Sequence, residues 1–165
     1  MAVYFKFDGC DGQSTDKGYE KWVIGHKYSV LGTRQLMTSA GGAAQTGQQR
    51  MTGSTVLGPI EAVMNTDKAS PKLLAACLGG KPVKKVEIAE TTTVKGKSEI
   101  NNYFELSDVL VTLLDIGGDG AGNQQTRVHL MPTKIKHKFQ EIDAKDGSVK
   151  GSVEGEADVM TGEAK

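Results

Sequence analysis

The chain has 165 residues, and its 20 basic and 20 acidic side chains cancel to a formal charge of zero. That length holds one domain with a real core rather than two, and the neutral balance excludes a general nucleic-acid binder, which needs a basic excess to displace counterions. Two cysteines, Cys10 and Cys77, make no disulfide framework, no apolar run approaches the ~18 residues of a membrane span, and the alternating N-terminus is no signal-peptide core.

Val3, Phe5 and Phe7 alternate with Tyr4, Lys6 and Asp8, the period-two pattern of a strand with one apolar face. Residues 9–21 are polar and rich in turn formers. Trp22 opens a second strand that is expected to run to Leu31, with Gly25 as a bulge. From Thr38 to Gly53 every helix and strand signal is lost, and so long a loop in a small domain is usually functional or disordered. A third strand is expected over Thr55–Met64, with Pro59 marking an edge or bulge because it cannot donate to a ladder.

The one helix announces itself between Asn65 and Pro82. Ser70 is placed to cap the first turn, Pro71 suits the first helical position, and Asp67 puts a negative charge at the positive end of the dipole. Leu73, Leu74, Cys77 and Leu78 form one apolar stripe, and Gly79, Gly80 and Pro82 stop the helix after about nine or ten residues. A helix so short must dock on something to persist in water.

Val83–Val94 reads as a strand with Val86, Ile88, Thr92 and Val94 on one face and Lys85, Glu87, Thr91 and Thr93 on the other. Residues 100–115 form the longest apolar strand, whose alternation changes phase near Asp108, as at a bulge or under burial on both faces. After the glycine-rich loop 117–123, Arg127–Ile142 reads as a last long strand, with Ile135, His137 and Phe139 opposing Lys134, Lys136 and Lys138. Beyond Asp143 the chain reads as a frayed tail or a weak edge strand. About six strands, turns and one short helix point to a mainly β fold, a small β-barrel or sandwich. The domain is expected over residues 1–145, with 146–165 a flexible or weakly ordered tail.

A search for chemistry yields little. The glycines at 118, 120 and 122 precede no amphipathic helix and no Lys-Ser or Lys-Thr, so they make neither a dinucleotide fingerprint nor a phosphate loop. Asp115, Asp119 and Asn123 lack the spacing and closing glutamate of a calcium loop. His26, His129 and His137 have no short ligand spacing, and no nucleophile elbow occurs. His137, on an apolar parity, reads as a packed histidine. The lysine row reads as a solvated strand face that discourages edge pairing. No catalytic residue, metal or cofactor is assigned, and the chain is read as no enzyme.

The block Asp67-Lys68-Ala69-Ser70-Pro71-Lys72-Leu73 followed by Ala75-Ala76-Cys77 resembles the signature of the hemolysin-coregulated protein (Hcp) family, the tube proteins of bacterial type VI secretion. Ala2-Val3 leading to Asp8-Gly9, Asp11–Asp16, Leu106–Val111 and Gln140–Ser148 follow in the order of that family. The resemblance selects the barrel with a long extended loop and implies a homohexameric ring, stacked into an inner tube that is exported and carries or chaperones small effectors. The implied partners are further copies of the chain, the sheath, spike and baseplate of the apparatus, and effectors in the lumen, with no nucleic acid and no membrane insertion. The implied location is the cytoplasm during assembly, then the exterior or a target cell, without a cleaved signal peptide.

By the same resemblance the loop residues Thr38, Gly41, Gly42, Gln45, Gln48, Gln49, Arg50 and Met51 contact a neighbouring subunit or ring. Asp67, Lys68, Ala69, Ser70 and Pro71 start the helix and are structural, and Lys27 and Ser29 face the lumen or its cargo. The sequence departs from the family where His26 and Lys27 replace aromatic residues, where Pro132 interrupts a strand, and in a tail without an aromatic residue. A tube subunit of a phage-tail-like contractile particle is the alternative, and a monomeric ligand-binding or hydrolytic barrel is the reading from another class.

Overall fold

A computed structural model describes residues 1–37 and 51–164. Its elements in chain order are β1 (Ala2–Phe7), β2 (Val23–Ser29), β3 (Gly32–Met37), β4 (Met51–Leu57), β5 (Ile60–Asn65), α1 (Ser70–Gly79), β6 (Val83–Val94), β7 (Lys97–Gly118), β8 (Gln124–Met131), β9 (Lys134–Ile142) and β10 (Val149–Asp158). Strands β7, β6, β1, β2, β5 and β8 pair in that order, and β8 returns to β7, which closes a six-stranded antiparallel barrel. Closure removes the open edges that a flat sheet of this size would expose.

β7 makes the closure possible because it is long enough to serve three partners. Along one edge it pairs with β6. Along the other, Asn102–Ser107 pair with β9 and Leu110–Gly118 with β8. The change of partner falls at Asp108, whose φ is +47°. Phe104 and Leu106 are buried before it and Val109 and Val111 after it, so the phase of the alternation does shift there, as expected. Opposite lies the break between β8 and β9. Pro132 has no N–H for a ladder, and Thr133 resumes pairing by giving both its N–H and its hydroxyl to the Ser107 carbonyl, each at 3.0 Å. The single strand expected over Arg127–Ile142 is therefore two strands.

Other expected boundaries also divide. The stretch Trp22–Leu31 contains all of β2 but stops short of β3, and Thr55–Met64 spans the end of β4 and most of β5. β3 and β4 form a sheet of their own, so the chain leaves the barrel after β2 and re-enters it at Ile60, past Pro59. Met51, placed in the strandless loop, begins β4 instead, opposite Met37. The rest of that loop assignment, Thr38, Gly41, Gly42, Gln45, Gln48, Gln49 and Arg50, lies outside the described residues.

The barrel interior is filled by Phe5 and Phe7 of β1, Ile60 and Met64 of β5, Ile88 of β6, Leu106 of β7 and Leu130 of β8, all close to fully buried. Leu73 joins this core from α1, which lies against β7. The rest of the expected stripe does not follow it inward. Leu74 is 37% exposed and Leu78 80% exposed, with Cys77 half-buried between them, because one turn of so short a helix suffices to cover the core it meets. On β6, Thr91 was expected on the polar face but is buried, its hydroxyl donating to the Ala2 carbonyl at 3.3 Å. Thr91 does stand on that face, opposite Ala2 in an unbroken register with β1, and the bulge beside it places its extra residue, Asn101, in β7. Residues 149–158, in the stretch read as a frayed tail or weak edge strand, form β10, paired along β9 from Val149 to Asp158.

Candidate functional site

The family-like block at the start of α1 is a knot of local and distant hydrogen bonds. Ser70 does not cap the helix. Its hydroxyl oxygen instead accepts the Asp67 N–H at 3.2 Å and lies 3.3 Å from the Thr126 hydroxyl on β8, buried. The Asp67 carboxylate takes over the amides: one oxygen accepts the Ala69 N–H at 2.8 Å, and the other accepts the Gln13 N–H at 3.2 Å. Pro71 occupies the start of the helix, Ala69 is buried and Lys68 is exposed. Gly80, at φ +62°, ends the helix in the left-handed conformation that its missing Cβ permits. These residues join the β1–β2 connection, α1 and β8, which is a structural arrangement.

The outer face of β2, β5 and β8 is polar. Lys27 and Ser29 are exposed on β2, opposite Val63 and Glu61 of β5. Arg127 of β8 pairs with Glu61 at 3.5 Å, and His26 Nε2 lies 2.6 Å from Asn65 Oδ1. A cavity of about 420 Å³ opens beside them, lined by Asp115, Asp119, Asn123 and Arg127 among others. Asp119 is already spent within its own turn, accepting the N–H groups of Ala121 and Asn123 and the Asn123 side-chain amide. These bonds hold its carboxyl below the usual range, the Asn123 side chain contributing most. No group of three or more potential metal-ligating side chains occurs among the described residues.

Two half-buried networks bind strands together. In the first, the Tyr28 hydroxyl donates to Glu90 at 2.7 Å and the Asn102 amide donates to the same carboxylate oxygen at 3.0 Å. Asn102 thus presents its carbonyl oxygen to His137, whose Nε2 donates to it at 3.1 Å. The His137 ring stacks on Phe104 with centroids 4.2 Å apart and planes 4° from parallel, so this is the packed histidine the sequence suggested. In the second, Glu87 accepts from Tyr103 and pairs with Lys85 at 3.2 Å and Lys6 at 3.6 Å. Burial pushes the Glu87 carboxyl up, but the Tyr103 and Lys85 hydrogen bonds together hold it below the usual range. Both carboxylates are fully engaged in joining strands.

β9 and β10 extend the barrel wall into an open sheet with two unlike faces. On one, Lys134 meets Asp158 at 3.3 Å, and Lys136 and Lys138 meet Glu154 at 3.0 and 3.4 Å. The lysine row is therefore neutralised from the next strand. The signal is legible in the sequence, since Glu154, Glu156 and Asp158 alternate at the same period as the lysines. On the other face Phe139 lies opposite Val153, which is 73% exposed. A mainly apolar groove of about 340 Å³ runs between the base of the β3–β4 hairpin and the C-terminal turn.

A barrel closed by one long strand, a capped short helix and an independent hairpin can now be set beside known proteins. Residues 4–145 match the model of the family described as type VI secretion system effector, Hcp. This chain belongs to the Hcp family. Among solved structures the Hcp chain is similar to one titled as a type six secretion system protein, with a TM-score of 0.87 at 20% identity over 99% of both chains. It is similar to Hcp1 from Salmonella typhimurium, with a TM-score of 0.75 at 15% identity over 99% of this chain and 98% of that one. A type VI secretion system effector from Yersinia pestis gives 0.65 at 20% identity, over 95% and 99%. At these identities the likenesses establish a common fold. A comparison with curated proteins gave no match. The barrel that the sequence resemblance implied is thus the Hcp barrel, and among the described residues no helix is long and apolar enough to cross a membrane.

Proposed function

We propose that this Hcp-family protein is the tube subunit of a type VI secretion apparatus: copies close into a hexameric ring, rings stack into a hollow conduit, and small effectors travel inside it. The observation that carries the reading is the β3–β4 hairpin. It pairs with no strand of the barrel among the described residues, and a two-stranded sheet by itself is marginal in water. A surface element that cannot hold itself gains most from a neighbouring copy, and β10 offers a further open edge. A ring built this way uses heterologous contacts, each copy giving one patch to a different patch on the next.

On this reading the connection from Thr38 to Met51 touches the next subunit or ring, and Lys27 and Ser29 line the channel. Residues 1–145 form the tube domain, and 146–165 are an appended segment that adds an edge to it. Sheath, spike and baseplate proteins are the outer partners, and export proceeds through the apparatus.

Mass photometry and negative-stain microscopy of the purified chain test the proposal. Rings of one uniform mass are expected. A chain that stays solitary at high concentration overturns the reading. Deleting residues 41–50 should leave the barrel folded and weaken stacking, and release into the medium should stop when the sheath is removed.

A further inference from the structure

A second polar space adjoins the cavity beside Arg127. It holds about 350 Å³ and is lined by Gln13, His26, Asn65, Thr66 and the turn residues 122–125, with no carboxylate, lysine or arginine among them. The two spaces share Asn123 and Gln125 and so form one cleft, which charge enters only beyond Gln125, at Asp115, Asp119 and Arg127. On β2, His26 is followed by Lys27, opposite Val63 of the cleft wall, so the cleft continues the face read as lining the channel.

Its hydrogen-bonding groups are placed but unspent. His26 Nε2 donates to Asn65 Oδ1 at 2.6 Å, which leaves the Asn65 NH2 as a donor and Nδ1 of the neutral ring as an acceptor. Asn123 gives its NH2 to Asp119 at 2.7 Å and keeps its carbonyl oxygen. The side-chain amides of Gln13, Gln124 and Gln125 bond to nothing among the described residues. Across from Gln125 and Gln124, on β7, stand Gly117 and Gly118. Two successive glycines weaken a strand, and such a glycine often marks the close approach of another group. Neither has a left-handed φ, and a Cβ on Gly117 would meet nothing within 4 Å. The barrel itself therefore does not call for glycine at 117, whereas an open cleft does, since a side chain there would stand in it.

A carboxamide carries the same N–H and C=O as a peptide group. Several of them beside a bare glycine floor can pair with the main chain of an extended segment without reading its side chains. No Phe, Tyr or Trp lines the cleft for an aromatic or sugar ring to stack on, and Val63 is its one sizeable apolar side chain. We propose that this cleft binds an extended polypeptide segment of the cargo through its backbone, whatever its sequence. The inference rests on the channel reading and names the chemistry by which the channel holds what it carries.

Fluorescence anisotropy of the purified protein with a labelled peptide of alternating glycine and serine is the test, beside the same peptide N-methylated at every glycine. Wild type should bind the first and hold the second about tenfold more weakly, because methylation removes the N–H donors. Gln125→Ala should weaken the unmodified peptide about tenfold. Gly117→Leu should abolish its binding, with thermal unfolding no lower than wild type because the new Cβ meets no atom. Rings that bind no peptide, equal binding of the two peptides, displacement by maltopentaose, or wild-type binding by Gly117→Leu overturn the backbone site and leave the tube reading intact. A chain that binds the peptide but stays a single barrel overturns the tube reading and leaves the cleft.

Discussion

Asp67 and Gln13 are joined across 54 positions of sequence by a single hydrogen bond, the Gln13 N–H donating to an Asp67 carboxylate oxygen at 3.2 Å. The other oxygen holds the Ala69 N–H at 2.8 Å. One side chain thus satisfies an amide at the helix start and ties down the loop between β1 and β2. Replacing Asp67 by alanine leaves both amides without their acceptor. The expected cost is about 1–2 kcal/mol, the usual loss for a capping carboxylate and a bridging hydrogen bond. Denaturant unfolding of Asp67→Ala, with Asp67→Asn as the conservative control that retains an acceptor, measures it. A midpoint equal to wild type would show that water replaces the carboxylate at no cost.

Gly25 of β2 lies under the Phe5 ring. A Cβ built on it would collide with Phe5 Cε2 and Cδ2 and come within 3.1 Å of Val3 Cγ1. Phe5 is fully buried at the centre of the barrel and has no free volume into which to retreat. Gly25→Ala is therefore an overpacking change, expected to cost about 1–3 kcal/mol. Gly96→Ala is the matched control: its Cβ meets nothing within 4 Å, and only its positive φ of +81° is strained. Thermal unfolding should rank Gly25→Ala as the more damaging of the two, and the reverse order would place the constraint in the backbone.

Three tyrosines predict an alkaline limit to stability. Burial, then the Asp16 hydrogen bond, pushes Tyr4 up to about 12. Tyr28 and Tyr103 are pushed above their ordinary range by burial and by donating to Glu90 and Glu87. The folded state therefore keeps protons that the unfolded chain releases near pH 10. Their stabilising contribution is complete below about pH 10 and falls as pH rises through the folded values, by at most about 1.4 kcal/mol per pH unit for each group. Denaturant midpoints should hold up to about pH 10 and fall between about pH 10 and pH 12, and tyrosinate absorbance should appear only with unfolding. Tyr28→Phe should flatten the slope. A midpoint flat across that range would mean that these hydroxyls ionise freely in the folded protein.

How far the sequence could be read depends on which forces are local. The phase shift at Asp108 was legible because burial on alternate sides leaves a trace in the residues themselves, from Phe104 and Leu106 to Val109 and Val111. The helix and its stop were legible because Pro71 and Gly80 are constrained by their own backbone chemistry. What failed was decided at a distance. A serine at a helix start can serve the first-turn amides or groups outside the helix, and Ser70 takes the Asp67 N–H and lies against the Thr126 hydroxyl, 56 residues away. The departure of β3 and β4 from the barrel is equally invisible, since alternation reports a strand but not the sheet it joins. Of the expected assembly surface only Lys27, Ser29 and Met51 fall on described strands, and their exposure or pairing carries no mark in sequence of what would cover them.

The β9–β10 ladder yields the last expectation. Glu154 is held below the usual carboxylate range by its hydrogen bond to Lys136, and Asp158 by the Thr161 N–H with help from Lys134. Both depressed groups favour the folded pairing above the ordinary carboxylate range of about pH 4, and that support is lost as pH falls through their lower folded values. All of these side chains face water, so the effect is local fraying of an edge strand and not global unfolding. Hydrogen-exchange protection factors should show Gly151–Gly155 of β10 opening in acid, or in high salt at neutral pH, while β6 inside the barrel stays closed. Lys136→Gln should reproduce the opening at neutral pH without any change of solvent. If β10 in that variant is as protected as in wild type, the strand is held by its backbone ladder and by the Phe139–Val153 contact alone, and the facing charges serve only to keep a second edge from pairing there.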